Sequence, residues 1–132
     1  MTACELTDEN KITMAEGGYI GWMSVDQNDS TFYTQDSVVV LCNKANNFAK
    51  ITMQKVKFAE AMPALDITID SIGAADIPYS IILVGNNIVP KAMGGPFPQY
   101  TITDLVGIVT ADSLSFSMKC GSFPLTYQGK VK

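Results

Sequence analysis

The side chains best suited to chemistry are aromatic and polar residues in the first quarter of the chain. Tyr19, Trp22 and Tyr33 flank a polar segment that contains Asp26 and Asn28. Sugars stack on exposed aromatic rings, and nearby Asp and Asn side chains hydrogen-bond to their hydroxyl groups. These residues could therefore form a carbohydrate-binding surface, but packing of the rings in a core is the favoured interpretation.

The faces on which these side chains lie help to decide between a sugar-binding surface and a core. If residues 19–23 form a strand, Tyr19 and Met23 share one face and Trp22 lies on the other. The polar turn at residues 26–30 is rich in oxygen ligands, but Thr31 and Ser37 stand where an EF-hand calcium loop needs Gly and Glu. We therefore expect a solvated turn with no metal.

A second candidate surface is the longest loop, residues 90–99. It carries Met93 and Phe97 among glycines and prolines. Apolar side chains at the tip of a loop are costly to expose. We therefore expect Met93 and Phe97 to pack either on the chain itself or at an interface with another subunit or partner.

Two missing residue types exclude much of enzyme chemistry. The chain has no His, and all nine of its basic residues are Lys, so it has no imidazole base and no arginine phosphate clamp. Cys4, Cys42 and Cys120 are too widely spaced for a zinc site. Buried thiols, or one disulfide with a spare thiol, both remain open. We expect no catalytic residues, no cofactor and no enzyme activity.

Charge and hydropathy limit the partners. Nine scattered Lys against 13 acidic residues give a net charge of −4 and no basic stripe, so we expect no nucleic acid. The apolar run at residues 79–84 is far shorter than the roughly 20 residues of a membrane span, which predicts no membrane insertion. Residues 1–8 lack the basic and apolar regions of a signal peptide. The localisation is open, with a virion or extracellular assembly favoured.

The elements that position these residues are short runs with a period of two. In residues 113–120 the side chains of Leu114, Phe116, Met118 and Cys120 alternate with polar residues, and residues 65–70 alternate in the same way. The runs 38–42 and 81–84 are apolar on both faces, which is typical of central strands or of strands covered on both sides.

The connections are less distinct. Residues 26–30 and 71–76 have the composition of turns, and residues 85–89 that of a hairpin. Residues 47–62 fit either a helix or a strand. We favour a strand with a phase slip at residues 54–55, as a β-bulge produces.

These patterns predict one all-β domain over residues 1–132, an antiparallel β-sandwich of about 9–10 strands with a jelly-roll or related Greek-key topology. The expected function is structural: a self-associating virion or surface-assembly component of the capsid-decoration, tail or fibre-head type. Its partner is itself or another structural protein. The alternative is a carbohydrate-binding module or adhesin head that binds a glycan.

Overall fold

The computed structural model describes residues 11–132, and their regular structure is almost entirely β-strand. The strands are β1 (Tyr19–Asp26), β2 (Phe32–Ala45), β3 (Phe48–Val56), β4 (Leu65–Ile77), β5 (Ser80–Gly85), β6 (Lys91–Ala92), β7 (Gly95–Pro96), β8 (Ile102–Val109), β9 (Ser113–Cys120) and β10 (Phe123–Val131). A single 3-10 turn spans Pro98–Tyr100. The predicted all-β antiparallel class is confirmed.

The sheet closes into a barrel because the last strand pairs with the first. Tyr19 of β1 lies opposite Val131 of β10, and Val25 lies opposite Leu125. Strands β1 to β5 and β8 to β10 pair in chain order, and β5 pairs with β8. The result is an eight-stranded up-and-down barrel with the β6–β7 hairpin attached to β4.

The predicted sandwich with jelly-roll or Greek-key topology is therefore wrong. Sandwiches and closed barrels both bury one face of each strand, so both give the same alternation along the sequence. Only the pairing of β1 with β10 separates them, and alternation within a strand carries no information about its partner.

Two strands follow the predicted alternation closely. In β9 the four predicted side chains point into the barrel and are buried, and the intervening Ser113, Ser115, Ser117 and Lys119 point outward. In β4, Ile67 and Ile69 are fully buried. The inward assignment of both strands is confirmed.

In the ambiguous segment 47–62, strand β3 spans Phe48–Val56 and the remaining residues to 62 form no strand. The strand interpretation is therefore confirmed over residues 48–56. The pairing of β3 with β4 shifts register between Met53 and Val56, at the predicted phase slip. Lys55 takes a φ of +53° there, and its backbone N–H donates a hydrogen bond of 2.9 Å to Asp66 Oδ1. A carboxylate acceptor thus satisfies the donor that the bulge removes from the ladder.

Residues 71–76 lie inside β4, so the turn predicted there is wrong. Ser71 has a φ of +62° and occupies a bulge that brings Ile72 to the inward face. Comparable register shifts lie next to Ser37 in β2 and Asp104 in β8, each with a positive φ. Such bulges bend strands, which a closing barrel requires.

The hairpin predicted at residues 85–89 is also wrong. Strand β5 ends at Gly85, and Ile88 forms an isolated bridge with Ile102 instead of pairing back on β5. The side chain of Asn86 accepts a 3.2 Å hydrogen bond from the backbone N–H of Asp104. Asparagine at this point therefore stabilises the β8 bulge.

Aromatic side chains close one end of the barrel. Phe58 is fully buried, and its ring centroid lies 4.9 Å from that of Tyr100. Phe97 and Phe123 also pack against Tyr100, with ring centroids 5.1 Å and 6.5 Å away. We call these four residues the aromatic cap.

Residues 11–16 lie against the opposite end. Ile12 and Met14 pack on the core, and the Tyr19 hydroxyl accepts a 3.0 Å hydrogen bond from the backbone N–H of Ala15. Every fully buried side chain in the described part of the chain is apolar or aromatic. The barrel interior is therefore a packed core.

Candidate interaction surface

The structure separates the side chains predicted to bind sugar. Tyr19 is fully buried beside Met23, whereas Trp22 is 41% exposed on the outer face of β1. The predicted alternation of residues 19–23 is therefore confirmed. A buried ring cannot stack on a ligand, so the core interpretation holds for Tyr19.

The other three predicted residues lie at the end of the barrel that carries the aromatic cap. Asp26 Oδ1 accepts a 2.8 Å hydrogen bond from the backbone N–H of Asn28, and Asn28 Nδ2 donates a 2.7 Å bond to the Ser122 carbonyl. Tyr33 is half-buried, with Lys57 Nζ 5.9 Å from its ring centroid. The polar groups therefore stabilise the predicted turn at residues 26–30 and do not face Trp22.

Met93 and Phe97 have different surroundings. Phe97 is partly buried in the aromatic cap, so it packs on its own chain. Met93 is 82% exposed in the tight turn between β6 and β7, with a φ of +54°. Met93 alone remains available to a partner.

The outer surface of the barrel carries a broad area without charge, which the sequence did not indicate as a site. It consists of two parallel rows of outward-facing side chains that cross β1, β10, β9, β8 and β5 in register. One row is Trp22, Gln128, Ser115, Ile108 and Ile82, and the other is Ser24, Thr126, Ser117, Val106 and Val84. Because they cross five of the eight strands, the rows curve around about half of the barrel. We call these two rows the uncharged face.

Aliphatic side chains stand exposed on β5 and β8, towards one end of this face. Val84 and Val106 are 53% and 55% exposed, and Ile108 is 37% exposed. The sequence indicated that residues 81–84 form a central strand or one covered on both sides, but on the outer side Ile82 is half-buried and Val84 is exposed. Proteins seldom leave such groups of aliphatic side chains in water without a partner.

A shallow groove runs along β9 within the uncharged face. Ser115 and Ser117 form its floor, Val106 and Ile108 form one wall, and Thr126 and Gln128 form the other. Serine is shorter than its neighbours on either side, so the depression follows directly from the sequence of β9. We call Ser115 and Ser117 the serine groove, and Val106 with Ile108 the aliphatic ridge.

A second groove adjoins the exposed indole. It is lined by Trp22, Ile20, Ser113, Gln128 and Lys130. An aromatic face beside amide, hydroxyl and ammonium groups is an arrangement that binds sugars. Of the residues predicted to bind sugar, only Trp22 takes part.

The buried thiols lack the properties of nucleophiles. Cys42 and Cys120 are free and buried, and they occupy opposite ends of the barrel. Burial raises the pKa of the Cys42 thiol to about 12 and also raises the pKa of Cys120. Both remain protonated at neutral pH, where a thiolate would be required. Cys4 lies outside the described residues.

Within residues 11–132, no three His, Cys, Asp or Glu side chains gather into a group that could hold a metal ion. Over the same residues, no helix is long and apolar enough to cross a membrane. Comparisons with protein-family models, with curated proteins and with solved structures give no match.

Proposed function

We propose that this protein is a non-enzymatic assembly protein that associates with further copies of itself through the uncharged face. The single observation that carries the proposal is the exposure of Val84, Val106 and Ile108 in adjacent strands with no charged side chain between them. Burying aliphatic surface is favourable, and an interface without charge incurs no cost for desolvating ions.

The chemistry of the rest of the described chain supports a structural role. The barrel interior is filled by side chains, and its buried thiols are protonated. A small packed barrel with an adhesive outer face suits repeated use in a symmetric assembly. We favour a virion or comparable surface assembly of the capsid-decoration, tail or fibre-head type.

The test is the solution mass of the protein by light scattering after size exclusion, over a range of concentrations. We expect the wild type to approach a multiple of 14.2 kDa as concentration rises. Val106→Lys places an ammonium group among the exposed aliphatic side chains of the face, and we expect it to raise the dissociation constant by about 100-fold or more.

The matched control is Val89→Lys, because Val89 is 42% exposed and lies outside the uncharged face. It should leave the mass unchanged. A wild type that stays at 14.2 kDa at every concentration would refute self-association.

A second candidate function is binding of a glycan at the groove beside Trp22. The exposed indole and the adjoining side chains of Gln128 and Lys130 favour it. Trp22 is the only tryptophan in the chain, so any change in tryptophan emission arises at this side chain. The screen is run at one fixed protein concentration, because Trp22 also belongs to the uncharged face.

We expect a bound glycan to change the emission of Trp22 in a screen of oligosaccharides. Gln128→Ala should weaken the response by about tenfold, because it removes a hydrogen-bonding partner but keeps the indole. Asn28→Ala is the control, since Asn28 bonds to Ser122 and does not line this groove. Unchanged emission with every sugar would end this candidate.

A further inference from the structure

We propose that the uncharged face binds a second copy of this chain about a twofold axis that lies parallel to the strands, between β8 and β9. This inference rests on the proposed function and specifies its partner and geometry. Each aliphatic ridge would then fill the serine groove of the other copy.

The aliphatic ridge and the serine groove lie on neighbouring strands and are complementary in shape. Strands β8 and β9 are neighbours, so the aliphatic ridge and the serine groove run side by side. A half-turn about an axis between them, in the plane of the contact, exchanges the two. The face is therefore complementary to itself, as an isologous interface requires.

The register fixes which residues meet. Val106 pairs with Ser117 across the two strands, and Ile108 pairs with Ser115. Rotation about an axis parallel to the strands preserves height along the strand. Val106 of one copy therefore lies over the partner subunit's Ser117, and Ile108 lies over the partner subunit's Ser115.

Charge at the edge of the face favours the same arrangement. Lys119 on β9 lies opposite Thr103 on β8, next to the exposed Asp104. The half-turn brings Lys119 of each copy to the side of the partner subunit's Asp104. An axis perpendicular to the strands would instead stack ridge on ridge and groove on groove.

The curvature of the barrel limits the area of the contact. β8 and β9 have 8 residues each, and in an eight-stranded barrel only two or three neighbouring strands face one partner. Strands about 4.8 Å apart and about 25 Å long then give about 250–350 Å² per copy, which is the size of a weak, reversible contact. We therefore expect a dimer that forms only at high concentration.

The test fills the groove without adding charge. Ser117→Leu increases the apolar surface but removes the space that the ridge needs, so we expect the dissociation constant of the dimer to rise by about tenfold or more. Ser24→Leu makes the same change on β1, which belongs to the uncharged face but lies two strands from β9, beyond the twofold contact, and it should leave the dimer intact. Circular dichroism confirms that each variant is folded.

A second substitution that compensates for the first provides a stricter test of the contact. Val106→Ala shortens the ridge and should weaken the dimer by itself. Combined with Ser117→Leu in the same chain, it should restore association to within about threefold of the wild type, because the longer leucine then meets the shortened ridge. Val106 and Ser117 are also neighbours within one chain, so the decisive measurement mixes the two single variants. Val106→Ala chains should associate with Ser117→Leu chains more tightly than Ser117→Leu chains associate with each other.

The outcomes distinguish this inference from the proposed function. If Ser117→Leu strengthens or preserves a dimer that Val106→Lys disrupts, the uncharged face is the interface but the twofold contact is wrong. If both variants remain dimeric, another surface such as Met93 forms the interface, and the inference is wrong. A wild type that is monomeric at every concentration overturns the proposed function as well.

Discussion

Phe58→Ala is expected to reduce the free energy of unfolding by about 3–5 kcal/mol. Phe58 is fully buried, and its ring packs edge-on against Tyr100 at 4.9 Å between centroids. Truncation leaves a cavity at the end of the barrel, where Tyr100 and Phe97 cannot both move inward without losing their own contact. Urea unfolding at 25 °C, followed by the fluorescence of Trp22, measures the loss.

The matched control is Phe48→Ala, the same substitution at a side chain that is 60% exposed. We expect it to change the free energy of unfolding by about 0.5 kcal/mol or less. Equal losses in the two variants would mean that burial of the Phe58 ring in the aromatic cap contributes nothing to stability. The prediction is therefore the difference in free energy of unfolding between Phe58→Ala and Phe48→Ala, and not either loss alone.

The alternation of apolar and polar side chains along each strand accounts for the parts of the fold that could be predicted. The inward face of β9 and the slip at Lys55 in β3 were both visible in the sequence, because each depends only on which neighbouring side chains are buried. At Ser71 the local sequence pattern is misleading. The polar, glycine-containing surroundings of this residue resemble a turn, but the positive φ belongs to a bulge inside a long strand.

Closure of the barrel could not be predicted in this way. It depends on pairing between β1 and β10, which are separated by most of the chain. The same alternation serves a sandwich or a barrel, and the energetic difference arises from exposed strand edges, which closure removes. No single residue carries that information.

The uncharged face was missed for a related reason. Its rows join Trp22 to Ile82, and Ser24 to Val84, through strands that are distant in sequence. One signal was present: residues 81–84 are apolar at every position. That pattern indicates a central strand or a strand covered on both sides, and in the structure Val84 on its outer side is 53% exposed.

Gly129→Ala is expected to cost about 3–5 kcal/mol of stability, although it adds one methyl group. Gly129 faces the core beside Tyr127, and a Cβ there would overlap the tyrosine hydroxyl and lie 2.7 Å from the ring carbon Cζ. The ring cannot retreat freely. It stacks on Phe116 at 5.2 Å, and its hydroxyl donates a 3.1 Å hydrogen bond to the buried Val38 carbonyl.

Two companion variants show whether this steric explanation is correct. Gly17→Ala adds the same methyl group where no atom lies within 4 Å, and it should be nearly neutral in urea unfolding. Tyr127→Phe alone should cost about 1–2 kcal/mol, since it leaves the Val38 carbonyl without its partner. If the clash involves the hydroxyl, the double variant Tyr127→Phe with Gly129→Ala loses less free energy of unfolding than the two single variants lose together. Strict additivity would instead assign the cost of Gly129→Ala to the backbone of β10, where glycine allows the strand to bend as the barrel closes.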